Sequence, residues 1–216
     1  MYLIKTPGFV KEFFPQLTWD GPPGNRTIYL TFDDGPHPEV TIQVLEILDR
    51  YKASGTFFCV GENIEKYPDT FSLLKKYNHG IGSHTYNHLN GWASDNMEYF
   101  KNIKRAATLA GTNLFRPPYG RIKPSQVRIL EQHYQIIMWS VLSGDFDTTL
   151  TGNQCFDNVK KYVKDGSIVV FHDSTKAAKR LLYALPRVLD YFSEQNYRFD
   201  ALEHSREYAT APHFSQ

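Results

Sequence analysis

An α/β fold, a distorted (β/α) barrel of about seven parallel strands, is predicted from three features of the chain. Short apolar or β-branched runs recur along it, helical patterns lie between most of them, and polar side chains gather where the runs end. In a barrel those ends meet at one rim, which is where barrel enzymes keep their sites.

Residues 1–26 read as an irregular N-terminal arm, because Lys5, Pro7, Lys11, Glu12 and Pro15 interrupt its apolar stretches and Gly-Pro-Pro-Gly breaks the chain at 21–24. The strands follow as TIYLTF (27–32), GTFFCV (55–60), GIGSH (80–84), LFRPP (114–118), IIMWSV (136–141), SIVVFH (167–172) and YRFDAL (197–202). Helices are expected over 38–53, with Val44, Leu45 and Leu48 on one face, and over 94–110, with Met97, Phe100, Ile103 and Leu109. A third covers 153–164, with Phe156, Val159 and Val163, and Pro186 opens or kinks the last helix. These stripes read as core faces. One domain over 27–205 and a tail over 206–216 complete the organisation, at a size that a single core can serve.

Composition excludes several classes of function. A formal net charge of +1 with scattered Lys and Arg leaves no basic stripe, so nucleic acid is not an expected partner. No segment is long enough to span a bilayer. The arm lacks a signal-peptide core, which predicts a cytoplasmic protein or an exported one whose signal is not in this chain. The two cysteines, Cys59 and Cys155, do not make a disulfide framework, and Cys59 within TFFCV reads as a small buried hydrophobe. Aromatic residues at 15% leave rings for pockets and for stacking on a sugar.

Asp33, His84, Arg116 and His172 each fall in or just past the end of a different predicted strand. His84 and His88 in SHTYNH are spaced i to i+4, which on a helical turn brings both imidazoles to one side. Two histidines and one carboxylate leave an open position for water, a donor set that favours zinc. Alone, the pair also fits two polar residues on an exposed turn. Asp33 and Asp34 are adjacent, and neighbours on a regular strand point to opposite faces. A break at Gly35-Pro36 lets both carboxylates reach the mouth; an Asx turn or helix cap is the alternative. Arg116 in RPPYG is held before a double proline, where it either keeps a carboxylate ionised or forms a surface salt bridge. His172 ends the apolar run IVVFHD, as a rim residue or a catalyst.

Taken in order, TFDDGP, SHTYNH, RPPYG and IVVFHD resemble the motif set of NodB-type polysaccharide deacetylases, carbohydrate esterase family four. The resemblance covers nearly the whole chain between arm and tail and implies a distorted barrel acting as the catalytic domain. It also implies that Asp34, His84 and His88 bind zinc, or another divalent ion such as cobalt. Asp33 is implied as the base for the bound water, oriented by Arg116, and His172 as the acid that protonates the departing amine. The backbone N–H of Tyr119 is implied to stabilise the oxyanion. The family usually carries Asp-x-x-Asp-Trp at a further motif, whereas WSVLSGDFD has Leu142, Asp145 and Phe146 at those places. Asp145 is therefore expected to replace the aspartate that tunes His172, with Asp147 second. Trp139, Phe146 and Val170 are candidates for the apolar wall around an acetyl methyl.

The implied partner is an acetylated glycan, and the implied reaction is removal of N-acetyl groups from N-acetylglucosamine-type units, as in peptidoglycan or a chitooligosaccharide. An O-acetyl esterase acting on xylan or another polysaccharide is a rival, because an ester uses the same groups with less need for an acid. A glycan-binding pseudoenzyme is a third reading, disfavoured by the presence of Asp33, Asp34, His84, His88 and His172.

Overall fold

A computed structural model describes residues 2–202, so the expected tail over 206–216 lies outside the described residues. The central strand is β1 (Thr27–Asp33), paired in parallel with β2 (Gly55–Cys59) on one side and β7 (Ile168–His172) on the other. With β3 (Gly80–Ser83), β4 (Leu114–Phe115), β5 (Gln135–Ile136) and β6 (Val141–Leu142) the order is β5-β4-β3-β2-β1-β7-β6. A last short strand, β8 (Arg198–Phe199), pairs with the start of β1. The ladders between these strands are all parallel among the described residues, and the seven main strands curl into an incomplete barrel wrapped by helices.

Alternation along β1 decides what faces inward. Ile28, Leu30 and Phe32 join the core cluster shared with the outer helices, while Tyr29 belongs to a separate inner cluster with Phe58, Leu114, Ile137 and Ile168. A period of two then places Thr31 and Asp33 on the inner face as well. β7 repeats this pattern: Val169 and Phe171 pack outward, so Ile168, Val170 and His172 face in. Both faces are covered, which is why these strands read as continuous apolar runs.

The outer layer is led by α2 (Val40–Arg50), α5 (Asn96–Ala110), α7 (Gly152–Tyr162) and α8 (Ala178–Ser193). Short helices α1 (Gly8–Phe13), α3 (Gly61–Lys66), α4 (Pro68–Lys76) and α6 (Pro124–Leu130) fill the remaining connections. In α5 the Asp95 side chain accepts from the N–H groups of Met97 and Glu98, and Gly111 with φ 69° ends the helix in the left-handed region. Its buried face is Tyr99, Ile103, Ala106, Ala107 and Ala110, whereas Met97, expected in the stripe, is 61% exposed. Small alanines let this helix sit close to its neighbours, a signal that a stripe of large residues misses. Pro186 lies inside α8 and does not open it.

Three strand expectations are corrected. LFRPP forms only β4 at Leu114–Phe115, because Pro117 and Pro118 have no N–H for a ladder. IIMWSV is split into β5 and β6, which sit at opposite ends of the strand order. YRFDAL contributes only Arg198–Phe199. The arm, expected to be irregular, carries α1 and joins the two ends of the sheet. Thr18 N donates to Ile136 O at 2.9 Å beside β5, and Leu142 N donates to Ile4 O at 2.8 Å on β6. The arm thus supplies hydrogen bonds to edge strands that would otherwise be bare.

Arg116 fills the inside of the barrel and is fully buried. Its Nη1 donates to Asp33 Oδ1 and Thr31 Oγ1, both at 2.7 Å, Nη2 to Met138 O at 3.0 Å and Nε to Ile137 O at 3.3 Å. The guanidinium also lies 4.0 Å from the Phe58 ring centre. Removing one partner from such a pair strands the other charge, so Arg116→Met should cost about 3–5 kcal/mol in equilibrium denaturation. Adding Asp33→Asn to that variant should restore a large part of the loss; a loss below about 1 kcal/mol for Arg116→Met would contradict this role.

Candidate active site

Asp33 reaches the rim as the last residue of β1, facing inward by strand alternation. Asp34 follows with φ 80°, a left-handed conformation that breaks the alternation. The two carboxylates therefore approach the same point: Asp33 Oδ2 is 4.0 Å and Asp34 Oδ1 3.9 Å from His84 Nε2. Their surroundings differ. Asp33 is held by Arg116 and is buried, whereas the Asp34 carboxylate faces the histidines, with Oδ1 3.3 Å from His88 Nε2.

The turn after Asp34 is fixed from several sides. Asp34 O accepts from Asn63 Nδ2 at 2.7 Å, Gly35 O from Val60 N at 2.9 Å, and Gly35 N donates to Asp173 Oδ1 at 3.0 Å. Asp173 is fully buried, and its other oxygen accepts from Thr41 Oγ1 at the start of α2 at 2.5 Å. Burial raises the Asp173 pKa to about 7; the Thr41 hydrogen bond opposes that rise and the nearby Asp34 charge adds to it. A Cβ on Gly35 would lie 2.1 Å from Asp173 Oδ2, so only glycine fits this approach.

His84 directly follows β3 and is buried, with Nδ1 2.9 Å from Arg116 O. That carbonyl can only accept, so Nδ1 carries the proton and Nε2 presents a lone pair. Burial lowers the His84 pKa to about 4 despite the pull of Asp33, keeping the ring neutral as a ligand must be. His88 arrives by a non-helical turn in which Thr85 and His88 have φ 64° and 57°. Its Nδ1 is 3.1 Å from Tyr119 Oη. Asp34, His84 and His88 each offer a donor atom within 4.8 Å of one another. Asp34 Oδ1 is buried without a hydrogen-bond partner, an orphan that a cation between the three side chains would satisfy. Burial works to raise the Asp34 pKa, but the contact with His88 and the fields of His172 and His84 outweigh it and hold the carboxyl well below its ordinary range. The residues present fit a divalent ion.

Across the mouth, His172 ends β7 with Nδ1 2.8 Å from Asp145 Oδ1, and its backbone N–H donates to Asp145 Oδ2 at 2.8 Å. Asp145 is fully buried, and its carbonyl accepts from Arg180 Nε at 2.5 Å. Burial disfavours the imidazolium, but the charge and hydrogen bond of Asp145 prevail and raise the His172 pKa to about 9. Asp147, the second candidate for this contact, instead accepts from Tyr2 Oη at 2.6 Å.

The predicted residues line one groove of about 730 Å³, which includes Asp33, Asp34, His84, His88, Tyr119, Trp139, Phe146, Val170 and His172. Arg116 and Asp145 stand buried behind it. A larger cavity of about 950 Å³ lies at the opposite end, where the strands begin, and contains none of these residues. Tyr2, Trp92, Arg121 and Lys176 also line the groove and were missed by sequence reasoning. Tyr2 packs 4.9 Å from Phe146, which in turn packs 5.2 Å from His172, and no local pattern links residues so far apart in the chain. Asp173 was also missed, although it directly follows His172 in the quoted motif. Among the described residues no helix is long and apolar enough to cross a membrane.

The chain resembles known proteins in sequence and in fold. The polysaccharide deacetylase family model matches residues 20–135. The chain is 34% identical over 203 residues to a Bacillus cereus peptidoglycan-N-acetylglucosamine deacetylase, covering 88% of this chain and 93% of that one. It is 32% identical to an Azorhizobium caulinodans chitooligosaccharide deacetylase, over 68% of this chain and 73% of the relative. The crystal structure of the Bc1960 peptidoglycan N-acetylglucosamine deacetylase superposes with a TM-score of 0.83 at 30% identity, covering 91% of this chain and 95% of that one. The chain belongs to the NodB-type polysaccharide deacetylase family, carbohydrate esterase family four.

Proposed function

We propose that the protein is a metal-dependent hydrolase that removes N-acetyl groups from N-acetylglucosamine-type units of a peptidoglycan-like or chitooligosaccharide-like glycan. The observation that carries this reading is the unequal surroundings of two adjacent carboxylates: Asp33 is bound to Arg116, while Asp34 sits with His84 and His88. Asp34 Oδ1, His84 Nε2 and His88 Nε2 would hold the ion, and two imidazoles with one carboxylate favour zinc. Such an ion, when bound, supplies Lewis acidity that brings the pKa of a water from about 15.7 to roughly 7.

The chain's own groups divide the proton transfers. Asp33 Oδ1 is occupied by Arg116, so Oδ2, directed toward His84, takes the proton of the attacking water. Arg116 keeps that carboxylate ionised and fixes its rotamer. Attack on the acetamide carbonyl builds negative charge on its oxygen, for which the Tyr119 N–H at the groove wall is the proposed donor. His172, with Nδ1 tied to Asp145, has Nε2 left to give a proton to the amine as the C–N bond breaks. The products are acetate and a free amino sugar. Trp139, Phe146 and Val170 form the apolar wall beside this chemistry.

Two outcomes follow from the division of roles. Asp33→Asn should retain metal in equilibrium dialysis while acetate release falls roughly 10²-fold to 10⁴-fold, and Asp34→Ala should lose both. Near-normal turnover by Asp33→Asn would overturn the assignment. A separate test uses pH. His172 must be protonated to act, and its raised pKa means the rate falls as pH increases through a value at or below about 9, since a bound dication adds positive charge nearby. Asp145→Asn removes the charge that raises it, so the falling limb should move to lower pH by at least about one unit. A limb that stays in place would show that His172 is not the group being titrated.

A further inference from the structure

The N-terminal arm puts one of its own side chains into the groove. Leu142 N donates to Ile4 O at 2.8 Å, Thr6 N to Ser140 O at 3.0 Å and Thr6 Oγ1 to Trp139 O at 2.8 Å, and Lys5 bridges Val141 in antiparallel register. β6 runs toward the rim in parallel with β7, so an antiparallel neighbour brings its N-terminal end there. That end is Tyr2, whose hydroxyl donates to Asp147 Oδ2 at 2.6 Å. Its ring packs 4.9 Å from Phe146, which meets the His172 ring edge-on at 5.2 Å. The other Asp147 oxygen accepts from Thr149 N at 2.9 Å and Thr149 Oγ1 at 2.7 Å. Hydrogen bonds from Tyr2 and Thr149 hold the Asp147 pKa down to about 2, while burial and the Asp147 contact raise that of Tyr2. At neutral pH the contact therefore joins a neutral donor to an ionised acceptor, the stronger kind of hydrogen bond.

We infer that Tyr2 is a positioning residue for His172: fastened along β6 by the arm, it holds the turn of Asp145, Phe146 and Asp147 against the imidazole. Three consecutive residues divide this task. Asp145 orients the ring through Nδ1, Phe146 covers its side, and Asp147 ties the turn to the arm. Arg180 secures the turn from α8 through the Asp145 carbonyl, and Tyr2 secures it from the arm. Without the Tyr2 ring, Phe146 loses its backing and water gains access to the imidazole beside it. A misplacement of about 1 Å in a proton donor can cost roughly 10²-fold in rate. The arm thereby acts on the chemistry as well as on the sheet edge. The inference deepens the proposed function and rests on it, because it takes His172 as the group that protonates the departing amine. It separates Tyr2 from a residue that merely walls the groove, which would act on glycan binding alone.

The test compares the zinc-loaded full-length wild type with Tyr2→Ala and Tyr2→Phe on two substrates. Chitotetraose has an amine that leaves only with a proton, and 4-nitrophenyl acetate has a phenolate that leaves without one. In Tyr2→Ala the glycan kcat should fall roughly 10-fold with KM changed by less than about 2-fold, and the ratio of glycan to ester turnover should fall at least about 5-fold. Tyr2→Phe, which keeps the ring on Phe146 and loses only the bond to Asp147, should lie between wild type and Tyr2→Ala. A second readout needs no turnover: the downfield proton resonance of His172 Nδ1–H, identified by its loss in His172→Gln. It should be sharp in wild type and Tyr2→Phe and broadened by exchange with water in Tyr2→Ala. A Tyr2→Ala glycan kcat within about 2-fold of wild type, a loss confined to KM, or an equal loss on glycan and ester would overturn the positioning role and leave the deacetylase reading intact. A wild type that releases no acetate from the glycan would instead overturn the deacetylase reading, and the His172 resonance then decides the role of Tyr2. A resonance unchanged in Tyr2→Ala overturns that role in either case.

Discussion

A guanidinium buried at the centre of a barrel is tolerable only if its charge is paired and its donors find acceptors, and that constraint organises this protein. Arg116 meets Asp33 at 2.7 Å and makes three further hydrogen bonds, to Thr31 and to the carbonyls of Ile137 and Met138. The partners come from β1 and from the stretch after β5, so a single side chain ties together strands that are distant in sequence. It also fixes which oxygen of Asp33 is left for chemistry. The Arg116 carbonyl, at the same residue, holds the tautomer of His84. Ion pair and ligand orientation are therefore set by one residue at the end of β4.

The rest of the rim repeats this economy. Asp33 and His172 each end a strand and are steadied by a buried group from another element: Asp33 by Arg116, and His172 by Asp145, which Arg180 of α8 holds in place. Asp173 pins the backbone that turns Asp34 back toward the mouth. Adjacent carboxylates thus acquire different electrostatic surroundings, and different surroundings are what separate a base from a ligand. The arm extends the same logic to the groove wall, since Tyr2 braces Phe146 and Asp147 beside His172.

Much of this was legible in the chain because strand ends converge in a barrel whatever their separation in sequence. Apolar runs located β1, β2 and β7 to within a residue or two, and Asp33 and His172 at the ends of β1 and β7 marked the rim. What was not legible depended on contacts without a local pattern. The split of 136–141 into β5 and β6 follows from pairing with the arm, and LFRPP ends early because proline cannot continue a ladder. The stripe in α5 was drawn through Met97 because size was read where small alanines form the buried face. Asp145 was weighed against Asp147 from the family's motif, and only the path of the loop places the first on His172 and the second on Tyr2.

The central claim is that two neighbouring carboxylates are separated in role by Arg116. Its most direct measurement is anomalous diffraction at the zinc edge from crystals grown with zinc. The account predicts one ion about 2.0–2.2 Å from Asp34 Oδ1, His84 Nε2 and His88 Nε2, with Asp33 still paired to Arg116 and outside the ligand set. An ion held by Asp33 in place of Asp34, or an Arg116 released from Asp33 in the loaded protein, would contradict it.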